Sequence, residues 1–146
     1  MAIAIPFGFE DRESVILNLD LPAESDSGYD CISCLVHVRA GNFDARVKHL
    51  IERRDLIPFS EAAEKLYRSL KGEAVLNSLE GHIYLKLTGD GKGHIKLQGE
   101  LVDRGIENKF FLVIEYDQTL LWQSVSALRD VLMLIQTKGS SPTEPQ

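Results

Sequence analysis

The chain has 146 residues, of which 44% are hydrophobic and 26% are charged, and its net charge is −6. The composition is that of an ordinary soluble protein, and the length suits one domain with a sizeable core. No run approaches the ~18 apolar residues of a membrane span. Met1–Phe9 is short and leads straight into Glu10 and Asp11, so a signal peptide is not predicted. We therefore expect one cytoplasmic domain over residues 1–137 and a disordered tail over 138–146, which has no apolar residue to pack.

The first part of the chain alternates apolar and polar residues at the period of a β-strand. Ser14–Leu21 predicts a half-buried strand that ends before Pro22, and Tyr29–Arg39 predicts a second strand. Ala40–Asn42 is a hairpin signal, because Gly and Asn accept the positive φ of a tight turn. A third strand is predicted from Phe43 to about Arg53.

A helix is predicted after the third strand. Asp55 is its expected N-cap, and Gly72 is expected to end it. Its apolar residues recur every three or four positions and therefore share one face, which predicts docking onto a sheet. These residues are Leu56, Phe59, Ala63, Leu66 and Leu70.

The stretch from Gly72 to Thr119 predicts an antiparallel meander with turns at Gly89–Gly93 and Asp103–Asn108. Its last strand, Lys109–Tyr116, is apolar on both alternating faces, which is typical of a central strand covered on both sides. Asp117 or Thr119 is then expected to cap a final helix. The apolar face of that helix carries Leu121, Val125, Leu128, Leu132 and Ile135.

Together these elements predict one α+β domain with about seven strands, mainly antiparallel, and two helices packed on sheet faces. The predicted core draws on every element. Its members are Leu17, Leu19, Ile32, Cys34, Val36, Val47, Phe59, Leu66, Leu85, Leu97, Leu112, Ile114, Val125, Leu128 and Leu132.

The net charge is confined to one segment. Seven acids between Glu10 and Asp30 are opposed by Arg12 alone, and the 15 acids and 15 bases elsewhere cancel. A concentrated negative field attracts basic partners and repels phosphate backbones. The alternative is a solvated edge that charge keeps soluble. The candidate partner-binding residues are Glu10, Asp11, Glu13, Asp20, Glu24, Asp26 and Asp30. If this segment is only a solvated edge, the outer sheet around Tyr84, Phe111 and Glu115 is the next candidate.

Cys31 and Cys34 lie three residues apart in the second predicted strand, so their side chains should point to opposite faces. We therefore predict neither a disulfide between them nor a metal site. A zinc site would need two more ligands at matching spacing, and the sequence has no second Cys pair. Cys34 shares its parity with Val36 and Val38 and is expected in the core.

The sequence contains no motif of catalysis or cofactor binding in its required context. Gly89–Gly93 is followed by a strand rather than by the Ser or Thr and helix of a phosphate loop, which favours a hairpin turn. His82 could approach Glu100 across that hairpin, but no nucleophile–base pair or metal set emerges. We predict no enzymatic activity, no cofactor and no metal.

Five basic residues cluster near the second and third strands: Arg39, Arg46, Lys48, Arg53 and Arg54. Asp44 and Glu52 lie among them, which favours charge pairing on the outer face of the sheet. The overall acidity and the lack of interleaved aromatic residues argue against nucleic-acid binding.

Three short segments resemble the WapI-like family of bacterial immunity proteins. They are Gly72-Glu73-Ala74-Val75-Leu76, the hairpin before His94-Ile95-Lys96-Leu97, and Asp117-Gln118-Thr119-Leu120-Leu121. The resemblance covers about Ser14 to Ile135, and it departs at Cys31-Ile32, where an aromatic-Leu pair would be expected.

The resemblance implies a protein that acts by binding and blocking, and it transfers no catalytic residues. Combined with the acidic segment, it leads us to expect an immunity-type inhibitor of a basic toxin domain, with no nucleic-acid or membrane partner. The alternative is a small-ligand or regulatory binding domain that uses a pocket between helix and sheet.

Overall fold

The computed structural model describes residues 2–9, 12–21, 31–78, 81–103 and 108–139. The elements in chain order are β1 (Ala2–Gly8), β2 (Ser14–Asp20), β3 (Cys31–Ala40), β4 (Phe43–Glu52), α1 (Arg53–Ser69), β5 (Lys71–Asn77), β6 (Ile83–Asp90), β7 (His94–Val102), β8 (Lys109–Asp117) and α2 (Leu121–Gly139). A 3₁₀ turn over Gln118–Leu120 leads into α2. The predicted α+β class is confirmed, with eight strands in the described residues where about seven were expected.

The eight strands form two four-stranded antiparallel sheets, and each sheet is a meander in chain order. Sheet A contains β1 to β4, and sheet B contains β5 to β8. In sheet A, Leu17 of β2 lies opposite Val36 of β3. In sheet B, Leu87 of β6 lies opposite Leu97 of β7. In this register the alternating apolar residues of neighbouring strands lie on the same face of each sheet, as period-two alternation requires.

Strand β1 was not predicted from the sequence. It pairs with β2 along its whole length, and its residues Ile5 and Phe7 are buried. Pro6 is tolerated because β1 is an edge strand, where one side of the backbone needs no ladder hydrogen bond. The hydroxyl of Ser124 in α2 donates to the Pro6 carbonyl at 2.5 Å, so the C-terminal helix is anchored to the first strand.

Helix α1 begins three residues earlier than predicted. Its N-cap is Glu52, and β4 ends at that same residue. Asp55 still contributes to capping, because its carboxylate accepts a hydrogen bond from the Glu52 N–H at 3.0 Å. Arg53 is therefore helical rather than the end of a strand.

The predicted end of α1 at Gly72 is wrong, because Leu70 is the residue that adopts the left-handed conformation, with φ 68°. Gly72 already belongs to β5. The N–H of Gly91 donates to the Leu70 carbonyl at 2.9 Å. A Cβ on Gly89 would lie 2.4 Å from the same oxygen. The β6–β7 hairpin therefore packs against the helix terminus and fixes where the helix ends.

One continuous apolar core joins both sheets and both helices. All predicted core residues are buried except Val47 and Leu132, which are partly buried and pack against the core. In α2 the buried position is Val131 instead of Leu132. Within the described ranges, neither helix combines the length and apolar character that crossing a membrane would require.

The last strand corrects another prediction. β8 is an edge strand of sheet B and pairs with β7 alone, so it is not central and is not covered on both faces. Its inward residues Leu112 and Ile114 are buried, but Phe111 and Val113 on the other parity are 67% and 56% exposed. The apolar character of this outward parity is therefore not explained by burial within the described fold.

Helix α2 continues through Gly139, so the first two residues of the predicted tail are helical. Residues 140–146 lie outside the described residues. The division into a domain over residues 1–137 and a disordered tail stays a prediction.

Candidate partner-binding surface

Two of the seven candidate acids, Glu13 and Asp20, fall within the described residues, and both are exposed. The other five lie outside the described residues: Glu10, Asp11, Glu24, Asp26 and Asp30.

Glu13 and Asp20 lie at opposite ends of β2, which runs from Ser14 to Asp20. A strand rises about 3.3 Å per residue, so the two residues are roughly 23 Å apart. They therefore do not form one compact cluster. The sequence attaches Glu10 and Asp11 to the Glu13 end, and the acids after Asp20 to the other end.

The β1–β2 connection holds Glu13 in a tight turn. The N–H of Phe9 donates to the Glu13 carbonyl at 2.7 Å, and the N–H of Arg12 donates to the Phe9 carbonyl at 3.2 Å. The Arg12 guanidinium lies over the Phe9 ring, 4.6 Å from its centroid. Gly8 has φ +88°, and a Cβ there would lie 2.6 Å from the Glu13 carbonyl oxygen. The backbone that carries the exposed Glu13 side chain is thus closely constrained.

This turn borders a surface depression of about 580 Å³ whose lining includes both Glu13 and Glu115 of β8. Its lining residues are Phe9, Arg12, Glu13, Arg39, Gly41, Asn42 and Glu115. The depression therefore holds two carboxylates and two guanidinium groups, contributed by both sheets. Nothing in the sequence indicated that Glu13 and Glu115 would line the same depression.

Phe111, Val113 and Glu115 alternate along β8 on its exposed face, and we call these three residues the β8 outer surface. Tyr84, which the sequence analysis grouped with Phe111 and Glu115, is half-buried on the same sheet. The register runs from Tyr84 through Glu100 to Phe111 across three strands. The sequence signal for this surface is the set of apolar residues on the outward side of the last strand. From the sequence alone, that pattern predicts a strand covered on both sides.

A second exposed aromatic residue lies beside the start of β8. Phe43, the first residue of β4, is 69% exposed. Its ring centroid is 6.4 Å from that of Phe110, which packs partly against the core. The β3–β4 hairpin of sheet A thus contacts the edge strand of sheet B.

The two cysteines point to opposite faces of β3, as predicted from their spacing. Cys34 is buried in the core, and burial raises the pKa of its thiol to about 12, so the thiol is protonated at neutral pH. Cys31 is exposed. No group of three or more His, Cys, Asp or Glu side chains in the described part of the chain is arranged to hold a metal ion.

The histidine geometry differs from expectation. Tyr84, not His82, lies opposite Glu100 in the β6–β7 pairing, and Glu100 forms an ion pair with Lys109 at 3.5 Å. His82 instead stacks on His49 of β4, with ring centroids 4.4 Å apart. Nε2 of His49 also hydrogen-bonds the Val102 carbonyl at the end of β7. These contacts join β4 to sheet B.

The basic cluster is partly neutralised, as the charge-pairing interpretation predicted. Arg46 lies 3.9 Å from the Asp44 carboxylate, and Arg54 lies 2.5 Å from that of Glu52. Asp44 also contacts His37 at 3.0 Å.

These features define an α+β protein with two antiparallel meanders, which displays carboxylates and exposed apolar residues along the edge of one sheet. The chain belongs to the immunity protein WapI-like family, whose family model matches residues 9–135. The resemblance inferred from the three short segments is thereby confirmed.

A comparison with solved structures bears on the fold. The chain resembles a solved structure of MRP1/MRP2 from Trypanosoma brucei, with a TM-score of 0.51 and 14% identity over 95% of this chain and 86% of that chain. At this identity the similarity concerns the fold alone. A comparison with curated proteins finds no match.

Proposed function

We propose that this protein is an immunity protein that binds a basic toxin domain and blocks it. The observation that carries the proposal is membership of the WapI-like immunity family over residues 9–135. The confinement of the net charge of −6 to the segment from Glu10 to Asp30 supports a basic partner.

Inhibition by binding needs no reaction chemistry in the inhibitor. A toxin that acts on nucleic acid must bind phosphate groups, so its functional face is basic. An acidic surface can occupy that face and exclude the substrate. Glu13 and Asp20 are exposed, so their charges remain in water and act over a distance on an approaching partner. Such charges increase the association rate more than they slow dissociation.

The two ends of β2 allow the role of the acidic segment to be tested with matched variants. The near-end variant neutralises Glu10→Gln, Asp11→Asn and Glu13→Gln. The far-end variant neutralises Asp20→Asn, Glu24→Gln and Asp26→Asn. Each removes three negative charges, so an effect of overall net charge is the same in both.

We expect both variants to associate more slowly than wild type with the candidate toxin, a basic toxin domain that carries an inactivating substitution. One charge pair about 10 Å apart in water is worth roughly 0.4 kcal/mol, so three pairs amount to about 1.2 kcal/mol. That corresponds to an association rate reduced roughly eightfold at low salt. The difference should vanish near 1 M salt, where the screening length is about 3 Å. Stopped-flow association rates across a salt series measure it.

Unchanged rates and salt slopes in both variants would mean that the acidic segment is only a solvated edge. Co-expression with active toxin supplies the functional control, since wild-type protein should protect cells. If the chain neither binds this toxin nor protects cells from it, the small-ligand or regulatory binding domain becomes the better hypothesis.

A further inference from the structure

Strand β8 exposes two large apolar side chains at the edge of sheet B. Phe111 and Val113 are neighbours on its outward face and are 67% and 56% exposed. Exposed apolar residues on an edge strand favour association with other chains, and proteins usually blunt such edges with charge or cover them. In the described residues no element packs over this pair. An uncovered apolar pair on an edge strand is a candidate site for contact with another chain.

We propose that Phe111 and Val113 of the β8 outer surface form the apolar anchor of the interface with the toxin, and that the carboxylates of Glu115 and Glu13 border this anchor at one end. This inference rests on the proposed function, because it takes a basic toxin domain as the partner. Glu115 continues the outward parity of Phe111 and Val113, and the depression beside it contains Glu13 together with Arg12 and Arg39. The surface therefore extends to Glu13, the described acid that precedes β2.

Leu35 and Leu50 on the outer face of sheet A are also exposed, at 38% and 60%, and Leu35 lies opposite Lys48 in the β3–β4 register. Two residues before Lys48 on the same face is Arg46. On the outward face of β8, Lys109 precedes Phe111, and Glu115 and Asp117 follow Val113. Lys96 of β7 lies opposite Glu115. Because the two acids of β8 lie together at its C-terminal end, that end favours a basic group on the partner, whereas the neighbours of Leu35 disfavour one.

The anchor and the acids would contribute to different rate constants. Large apolar side chains in the centre of an interface carry most of the binding energy and set the residence time. Carboxylates at the rim guide the encounter. The toxin is therefore expected to be captured through its charge and retained through contact with Phe111 and Val113.

Two substitutions test the anchor. Phe111→Ala removes an exposed ring, and Val113→Thr keeps the shape and β-branching of the side chain while making it more polar. The matched control is Leu50→Ala, which removes an apolar side chain of similar exposure from the edge strand of the other sheet. Binding of the full chain to the same inactivated basic toxin domain is measured by surface plasmon resonance.

We expect Phe111→Ala to raise the dissociation rate about tenfold or more and to change the association rate less than about twofold. Val113→Thr should act in the same direction with a smaller effect, and Leu50→Ala should match wild type. The near-end acidic variant should slow association more than the far-end variant, because Glu13 lines the depression beside this surface. Thermal unfolding followed by circular dichroism confirms that each variant is folded.

Each result has a definite meaning. If wild-type protein does not bind the toxin, the proposed function fails and this inference fails with it. If wild-type protein binds but Phe111→Ala and Val113→Thr bind equally well, the function stands and the anchor lies elsewhere. If sedimentation shows a wild-type dimer that Phe111→Ala dissociates without weakening toxin binding, the surface joins two copies of this chain and the inference is overturned.

Discussion

At the scale of single residues, Gly8 shows how backbone geometry positions the acidic turn. Gly8 has φ +88°, and a Cβ there would lie 2.6 Å from the Glu13 carbonyl oxygen and 3.0 Å from Cδ1 of Ile114. Gly41 also has a positive φ, +62°, but a Cβ there would meet nothing within 4 Å. Alanine substitutions at the two glycines therefore distinguish the cost of a positive φ, which both would have, from the cost of a steric clash, which only Gly8→Ala would have.

We expect Gly8→Ala to lower the free energy of unfolding by about 2–4 kcal/mol, the sum of backbone strain and overpacking. Gly41→Ala should cost only about 1 kcal/mol, because strain alone applies. Urea unfolding of the two variants measures the difference. Equal destabilisation would show that the close approach to Glu13 does not constrain the turn.

At the scale of elements, the β6–β7 hairpin contains a carboxylate that ties its turn together. Asp90 accepts hydrogen bonds from the backbone N–H groups of Lys92 at 2.6 Å and His94 at 3.1 Å, and its other oxygen contacts Nδ1 of His94 at 2.8 Å. These hydrogen bonds, that from Lys92 first, lower the pKa of Asp90 from 3.8 to about 2. The ionised carboxylate therefore stabilises the folded hairpin.

The direction of the pH dependence follows from that lowered pKa. The stabilisation is fully present above about pH 4 and is lost as the pH falls from about 4 towards 2, because the unfolded chain then binds the proton more tightly. In Asp90→Asn the neutral amide oxygen can still accept the backbone hydrogen bonds but cannot titrate. We expect the difference in melting temperature between wild type and Asp90→Asn to shrink over that range. A constant difference would contradict the assignment.

Periodicity predicted most elements because burial on one face imposes it. The alternation in β2, β3, β6 and β7 and the helical spacing in α1 all corresponded to buried residues. Periodicity could not give the position of β8 within its sheet. A strand that is apolar on both faces has the same pattern whether it is a central strand or an edge strand with an exposed apolar face. Nor did it give β1, where Pro6 interrupts an otherwise regular alternation that an edge position tolerates.

The binding surface was predictable only in part, for a related reason. Charge counting located the acids, and the extended conformation of β2 separates Glu13, which precedes the strand, from Asp20, which ends it. Glu13 and Glu115 line one depression because of how the two sheets pack. Such contacts between distant segments leave no local pattern in the sequence.

At the scale of the whole molecule, side chains from both sheets and both helices form one core. The Phe7 ring of β1 lies 6.1 Å from the Phe59 ring of α1. In the seam between the helices, the Trp122 ring lies 5.4 Å from Tyr67, and Arg129 of α2 forms a 2.8 Å ion pair with Glu64 of α1. The β1–β2 turn and β8 are thus held by a shared core, which keeps the acidic and apolar parts of the proposed interface in a fixed relation.

This continuity predicts cooperative unfolding, which two phenylalanines can test. Phe59 is fully buried, and Phe43 is 69% exposed. Phe59→Ala should lower the free energy of unfolding by about 3–5 kcal/mol through lost contacts and a cavity, whereas Phe43→Ala should lower it by less than about 1 kcal/mol.

Fluorescence of Trp122, the single tryptophan, reports on the helix seam, and far-ultraviolet circular dichroism reports on both sheets as well. The two signals should give coincident transitions in wild type and in both variants, because each sheet completes its core with the other and with the helices. Separate transitions would show that the sheets unfold independently, and the acidic turn and the β8 outer surface could then not act as one preorganised interface.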